Sequence, residues 1–222
     1  MVPSQSNEQG SMVSERRVRS AIRRTVAAVG LVLTSAGAIG VSAGQATMPP
    51  AVKAVVAPPA PPCARIADFE PGRFSTPMKI DNPWLPLSPG TQWVLEGSAN
   101  RGAGQAAHRV RFTVTDLTKV IHGVRTAVVW DVDLSEGQVV EAELAFWAQD
   151  DERNVWYLGE YPEEYERGQF AGAPSAWLAG VDEAEAGVLM PAQPETRTSE
   201  YLQGWAPSVD FLDCARTIGT VR

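Results

Sequence analysis

The chain has few of the side chains on which most catalytic and metal sites depend. Its 222 residues include two histidines and two cysteines, and these do not stand at the spacing of a metal-binding motif. The sequence has no phosphate-binding glycine loop, dinucleotide-binding fingerprint or His-Glu-x-x-His motif. It also lacks the Gly-x-Ser-x-Gly turn of serine hydrolases. These absences exclude the common nucleotide-dependent and metal-dependent enzyme classes, and no cofactor is expected.

Positive charge is scarce beyond the first 46 residues. Residues 47–222 carry 14 basic and 24 acidic side chains, whereas residues 1–46 carry five arginines and two glutamates. Binding to nucleic acid requires a basic surface. Nucleic acid is therefore excluded as a partner, and anionic lipid headgroups are disfavoured for the same reason.

The first 46 residues have the pattern of a secretory signal peptide. A charge-free stretch from Thr25 to Val52 follows the arginines, and Val26 to Ile39 is apolar or small throughout. Cleavage is expected after Ala43 or Ala46. Arg23 and Arg24 leave a twin-arginine export route open. The alternative is an uncleaved membrane anchor, which would be the only membrane contact, but the apolar run is rich in glycine and alanine.

A proline- and alanine-rich linker is predicted for residues 47–62, and one domain for residues 63–222. Six of the fifteen residues from Met48 to Pro62 are proline, a composition that stays extended and buries little surface. The expected location is extracellular or in the cell envelope. Because such compartments are oxidising, Cys63 and Cys214 are predicted to form a disulfide; the alternative is two free thiols.

Alternation of apolar and polar residues predicts a mainly β domain. Val110, Phe112 and Val114 point to one face of a strand while Arg109 and Arg111 point to the other. The predicted strands span residues 91–97, 108–115, 124–134, 138–148 and 155–158. Short turns between them favour an antiparallel meander that forms a sandwich or half-barrel.

The turn between the third and fourth strands is predicted from its pairing. A three-residue loop, Ser135 to Gly137, would pair Val132 with Val140 and Val128 with Leu144, which keeps apolar residues together. Further on, residues 163–172 look like an acidic loop. Short strands are predicted for residues 175–178, 187–190 and 199–205, and a final strand for 211–221.

Several blocks of the sequence resemble an uncharacterised family of exported bacterial proteins. They are Ile80-Asp81-Asn82-Pro83 with Leu85-Pro86-Leu87-Ser88-Pro89-Gly90-Thr91 and Trp93, Trp147-Ala148-Gln149-Asp150 with Asn154 to Glu160, and Trp177 to Asp182 with Gly187 to Ala192. The resemblance implies export and assigns no catalytic residue. It also implies that relatives continue past residue 222, so the last strand here is expected to lack a partner.

Three groups of side chains are candidates for a site. Tryptophans Trp93, Trp130 and Trp156 fit a core or the lining of a ligand cavity. Asp150, Asp151 and Asn154 supply oxygens in one turn, as a calcium loop would, but without its glycine. The carboxylates on one face of the central hairpin are expected to be solvated, and they are Asp131, Asp133, Glu141 and Glu143. His108 is expected at a core edge and His122 in a solvated turn.

The favoured function is that of a non-catalytic exported domain. It would bind a small apolar molecule or another component of the cell envelope. The alternative is a hydrolase that cleaves glycans with a pair of carboxylates.

Overall fold

The computed structural model describes residues 60–100, 104–194 and 199–219. The predicted signal peptide and residues 47–59 of the predicted linker lie outside this range. None of the helices in the described part is long or apolar enough to span a bilayer.

The predicted antiparallel meander is confirmed. Five long strands follow one another, each paired antiparallel with the next. Their bounds are β1 Gln92–Asn100, β2 Gln105–Ile121, β3 Val124–Ser135, β4 Gln138–Gln149 and β5 Val155–Glu166. Strand β2 is longer than predicted. Its register shifts between Val114 and Thr118, so the alternation breaks after Val114 and the rest of the strand does not show in the pattern.

Five shorter strands complete the sheet, which curls into a half-barrel. They are β6 Gln169–Gly172, β7 Trp177–Leu178, β8 Glu185–Met190, β9 Tyr201–Ala206 and β10 Phe211–Ala215. The strand order is β1-β2-β3-β4-β5-β8-β9-β10, and β6 and β7 also pair with β5. Two 3-10 turns, Pro71–Arg73 and Pro207–Val209, lie outside the strands.

The prediction for the turn between β3 and β4 is wrong. Ser135 pairs with Gln138, so the turn has two residues, Glu136 and Gly137. Their φ angles of 51° and 80° are those of the hairpin turn that requires positive φ at both positions. A bulge in β4, where Val140 is the extra residue, then shifts the register. Beyond it, β3 residues 131–133 face β4 residues 141–143, so apolar residues are again paired with apolar residues.

Two further expectations are wrong. Residues 163–172 form a hairpin rather than a loop, with a turn at Arg167 and Gly168 whose φ angles are 52° and 75°. The final strand ends at Ala215 and has a partner, because β10 pairs antiparallel with β9.

The segment of residues 60–91 packs onto the sheet and contributes to its core. Phe74, Ile80 and Leu87 are buried with the apolar side chains of β2 to β5. The ring of Phe74 lies 6.1 Å from that of Trp156. Leu87 N–H donates to the Ile80 carbonyl at 2.9 Å, which closes a short loop around Asn82.

The side chain of Asn82 is fully buried and joins three parts of the chain. Its Nδ2 donates to the carbonyls of Arg153 and Pro191 at 2.8 and 3.2 Å. Its Oδ1 accepts from the N–H groups of Trp84 and Leu85 at 2.8 and 3.1 Å. One amide therefore fastens the N-terminal segment to the end of β8 and to the turn between β4 and β5.

The predicted disulfide is present. Cys63 and Cys214 are bonded at 2.05 Å with their Cα atoms 6.2 Å apart. Beside the disulfide, Ala64 forms an isolated parallel β-bridge with Tyr201 of β9, and Leu202 N–H donates to the Ala64 carbonyl at 2.9 Å. The two ends of the described domain are thus held together, and the bridge is compatible with an oxidising compartment.

Candidate functional site

Alternation along the strands gives the sheet two faces with different chemistry. On one, the acidic face, Phe112, Asp131, Glu143 and Pro162 are directly paired across four strands. On the other, the aromatic face, Trp130, Leu144 and Tyr161 are paired in the same way. We call these last three residues the aromatic row.

The acidic face carries the four carboxylates that the sequence places together. Asp131 faces Glu143 and Asp133 faces Glu141. The expectation of a solvated face is wrong for two of them, because Asp131 and Glu143 are only 5% and 6% exposed. His108 Nε2 lies 3.3 Å from Asp133 Oδ2, so this histidine lies beside the carboxylates.

The cavity between these carboxylates is small. Its volume is about 30 Å³ and its lining consists of Asp131, Asp133, Glu141 and Glu143. A water molecule needs roughly 10 to 15 Å³ on this measure, so the cavity has room for about two.

The three candidate tryptophans lie in different places. Trp93 is half-buried on the acidic face, opposite Phe112. Trp130 is on the aromatic face and 44% exposed, whereas Trp156 is 2% exposed. Trp156 Nε1 donates to Asp150 Oδ2 at 2.8 Å. Trp156 therefore has a structural role, and the three rings do not line one cavity.

The oxygens of the candidate calcium turn accept hydrogen bonds from the protein. Asp150 Oδ1 accepts from Asn154 N–H at 2.8 Å, and Asp150 Oδ2 accepts from Asn154 Nδ2 at 2.9 Å. Both carboxylate oxygens of Asp151 accept from Ser75, each at 2.9 Å. Asn154 Oδ1 accepts from Ala192 N–H at 3.0 Å. Among the described residues no group of three His, Cys, Asp or Glu side chains is placed to hold a metal ion. We assign this turn a structural role.

Two titratable groups near this turn and the β5–β6 hairpin are perturbed. Asp81 accepts a hydrogen bond from Gln149 Nε2 at 2.9 Å. That bond is the largest cause of the lowered pKa of Asp81. Lys79 and Arg153 also lower this pKa, whereas desolvation raises it. Tyr165 donates to Glu163 Oε2 at 2.7 Å, which raises the pKa of the Tyr165 hydroxyl.

A larger cavity lies where β5, β7 and the second 3-10 turn meet. Its volume is about 150 Å³. The lining is mostly apolar and consists of Tyr161, Ala176, Trp177, Leu178, Val181, Asp182, Ser208 and Val209. We call it the β5–β7 pocket.

Aromatic packing and one glycine build this pocket. Trp177 is 4% exposed, and its ring lies 5.3 Å from Tyr157 and 5.0 Å from Phe211. Gly159 on β5 has φ 144°, and a Cβ there would lie 2.4 Å from the Trp177 carbonyl oxygen. Only a glycine lets β7 lie this close to β5, and that contact brings Trp177 and Leu178 into the lining.

The aromatic row leads into the pocket. Its members Trp130, Leu144 and Tyr161 are 44%, 37% and 39% exposed, and Tyr161 is also part of the pocket lining. Arg111 lies 5.7 Å above the Trp130 ring, and Lys119 lies 5.1 Å above the Tyr161 ring. An apolar strip about 10 Å long, two strand spacings, therefore runs from Trp130 to the pocket with a cation over each end.

His122 has a structural position. It occupies the turn between β2 and β3 with φ 46°, and its ring centroid lies 5.3 Å from that of Phe69. A Cβ on Gly180 would come within 2.9 Å of the His122 ring. The histidine is nevertheless exposed in this turn, as the sequence predicts, with part of its ring against Phe69 and Gly180.

The strand topology, the aromatic row and the β5–β7 pocket define the class of this domain. It is a mainly β, antiparallel half-barrel with an apolar pocket at one edge of β5. No family model, curated protein or solved structure matches the chain.

The sequence did not point to the residues of the β5–β7 pocket. Tyr161 stands beyond the predicted end of β5, and Trp177 and Leu178 belong to a short strand to which no site was assigned. A usable signal was the dipeptide Gly159-Glu160 inside a strand pattern, because an internal glycine often marks the close approach of another segment.

Proposed function

We propose that this chain is an exported, non-catalytic domain that binds a small apolar molecule in the β5–β7 pocket. The observation that carries the proposal is the continuity of the pocket with the aromatic row through Tyr161. Exposed aromatic side chains that lead into an apolar cavity are typical of ligand sites. Export is supported by the arginine-led apolar run, the proline-rich stretch and the resemblance to exported bacterial proteins.

The size of the pocket limits the ligand. A cavity of about 150 Å³ accommodates roughly one aromatic ring or a short alkyl chain. A longer molecule would continue across Leu144 toward Trp130. Because Lys119 and Arg111 lie above the rings of this strip, an anionic group at the end of such a molecule is favoured over a cationic one.

The proposal is tested with 8-anilinonaphthalene-1-sulfonate, which joins apolar rings to an anionic group. The full chain is expected to bind it saturably, with enhanced fluorescence. Val181→Glu places a charge at the pocket, since Val181 is in the lining and 52% exposed. We expect it to weaken binding at least about tenfold, equivalent to 1.4 kcal/mol. The matched control is Val120→Glu, at a side chain 58% exposed on β2, which should stay within twofold.

Two results would overturn the proposal. One is binding that does not saturate. The other is an equal effect of the Val181 and Val120 substitutions while near-ultraviolet circular dichroism shows both variants folded. In a further measurement decanoate should displace the dye, and a neutral decanol should displace it less well if the cations contribute.

Export has a separate test. Mass spectrometry of the protein recovered outside the bacterial cytoplasm should give a new N-terminus after Ala43 or Ala46. An intact N-terminus would contradict cleavage and leave the binding proposal standing.

A further inference from the structure

The first strand of the sheet offers one side for pairing. Strand β1 lies at the end of the strand order and, within the described residues, pairs only with β2. Its register with β2 runs without a shift from Gln92 opposite Thr113 to Asn100 opposite Gln105. Thr91 and Gly90 extend the pairing through hydrogen bonds with Val114. A straight edge of this length carries backbone donors and acceptors that another strand can use.

The usual protection of an edge strand is missing from β1. Between Gln92 and Asn100 there is no proline, no bulge and one charged residue. That residue, Glu96, forms an ion pair with Arg109 of β2. Val94 and Leu95 are 50% and 53% exposed and point to opposite faces. The other end of the sheet differs, because β10 has a register shift between Asp213 and Cys214 and a disulfide at Cys214.

We infer that β1 pairs antiparallel with β1 of a second copy of this chain, so that two half-barrels share one continuous sheet. The occupant is a second copy because β1 is complementary to itself. Two strands related by a twofold axis perpendicular to the sheet keep the same face on the same side. Residues that face each other across such an axis must therefore have the same parity along β1, which leaves few registers.

In one of these registers every central pair joins side chains of compatible chemistry. With the axis at Val94, Val94 faces Val94 of the second copy, Trp93 faces Leu95, and Gln92 faces Glu96. Apolar residues then meet on both faces, and the amide of Gln92 can donate to the carboxylate of Glu96. These pairs would cover the exposed side chains of Val94 and Leu95.

The neighbouring registers are worse. With the axis at Trp93, Val94 faces Gln92 of the second copy and Leu95 faces Thr91, so both exposed apolar side chains meet polar ones. With the axis at Leu95, Val94 faces Glu96 of the second copy, and Trp93 faces Gly97. With the axis at Glu96, two carboxylates face each other, which is destabilising. The self-pairing is therefore assigned to the register centred on Val94.

Sedimentation velocity of the full chain tests the association. We expect a monomer–dimer equilibrium that shifts toward dimer as the concentration rises. Val94→Lys places two ammonium groups opposite each other and should raise the dissociation constant at least about tenfold. Val120→Lys is the matched control at a similarly exposed position on β2, and it should leave the equilibrium unchanged. A wild-type chain that stays monomeric, or a dimer that survives Val94→Lys, overturns the proposal.

Cross-linking tests the register independently of any effect on folding. Neither described cysteine is free, so a single new thiol reports on one position. In Val94→Cys the two thiols would face each other, whereas in Leu95→Cys each would face Trp93 of the second copy. Under mild oxidation Val94→Cys should form a linked dimer about tenfold faster than Leu95→Cys. Equal rates, or faster linking of Leu95→Cys, would refute the register centred on Val94.

Discussion

Replacement of Asn82 by alanine should be among the most damaging single changes in the domain. The side chain is 0% exposed and makes four hydrogen bonds of 3.2 Å or less to Arg153, Pro191, Trp84 and Leu85. Alanine would leave two backbone N–H groups and two carbonyls without these partners. At about 1 kcal/mol for each hydrogen bond, the free energy of unfolding should fall by about 4 kcal/mol.

The loss is measured by guanidinium unfolding followed by tryptophan fluorescence. For a domain of this size a loss of 4 kcal/mol corresponds to a fall in Tm of about 10 °C. The denaturant midpoint should fall while the slope m stays constant, because the extent of the folded structure does not change. Gln169→Ala serves as the control, since it removes an amide from an exposed position of β6 and should change stability by less than about 0.5 kcal/mol.

Asn82→Asp separates the two halves of the interaction. Aspartate keeps an acceptor for Trp84 and Leu85 but places a carboxylate against the carbonyls of Arg153 and Pro191. We expect it to be at least as destabilising as alanine. The buried carboxylate loses its hydration, and two of its neighbours are carbonyl oxygens that cannot donate to it. A loss below about 1 kcal/mol in Asn82→Ala, with m unchanged, would show that this amide does not hold the N-terminal segment to the sheet.

The remaining predictions concern four other sites. Cys63→Ser combined with Cys214→Ser should lower the free energy of unfolding by about 5 kcal/mol, because the unfolded chain regains the entropy that closing a 151-residue loop removes; an unchanged guanidinium midpoint would contradict this. Gly159→Ala forces a Cβ against the backbone of β7 and should cost about 1–3 kcal/mol and weaken dye binding, both measured on one sample. Asp81→Asn should lower Tm near pH 6. Because the folded pKa of Asp81 is lowered, this difference should fade as the pH falls below about 4, where the unfolded carboxyl begins to bind its proton, and a gap that does not shrink under acid would refute the linkage. Lys119→Gln should weaken decanoate binding more than decanol binding in displacement titrations.

The strand order of the first half was predictable because the alternation is local. In β1 to β5 the polar and apolar residues sort to separate faces over most of their length, and short turns leave an antiparallel meander as the simplest connection. The bulge in β2 after Val114 and the bulge in β4 at Val140 were not predictable in the same way. A three-residue loop is required only if the β3–β4 ladder is uninterrupted, whereas Val140 supplies the extra residue inside β4.

The hairpin of β5 and β6 was missed for a different reason. Glu163, Glu164 and Glu166 follow one another in a stretch that reads as a solvated acidic loop, yet Glu163 and Glu164 pair with β4. Charged residues are disfavoured in strands by propensity, and pairing on both edges of β5 overrides that preference here.

The candidate site depended on distances that no local pattern contains. Tyr161 and Trp177 meet in one pocket because β7 returns to the edge of β5 after a hairpin. The acidic set was predictable even though the expected register differs from the observed one by two residues of β4. Both registers keep Asp131, Asp133, Glu141 and Glu143 on the same face, because a shift of two residues preserves parity.

The covalent link between the two ends of the domain has a mechanical consequence. Tension applied to residues 60 and 216 would travel through Cys63 and Cys214 and bypass the enclosed polypeptide. While the bond is oxidised, the strands between them would bear almost no load. After reduction the same pull would act on the short ladder beside Ala64 and on β10, and the sheet would peel apart strand by strand from that corner.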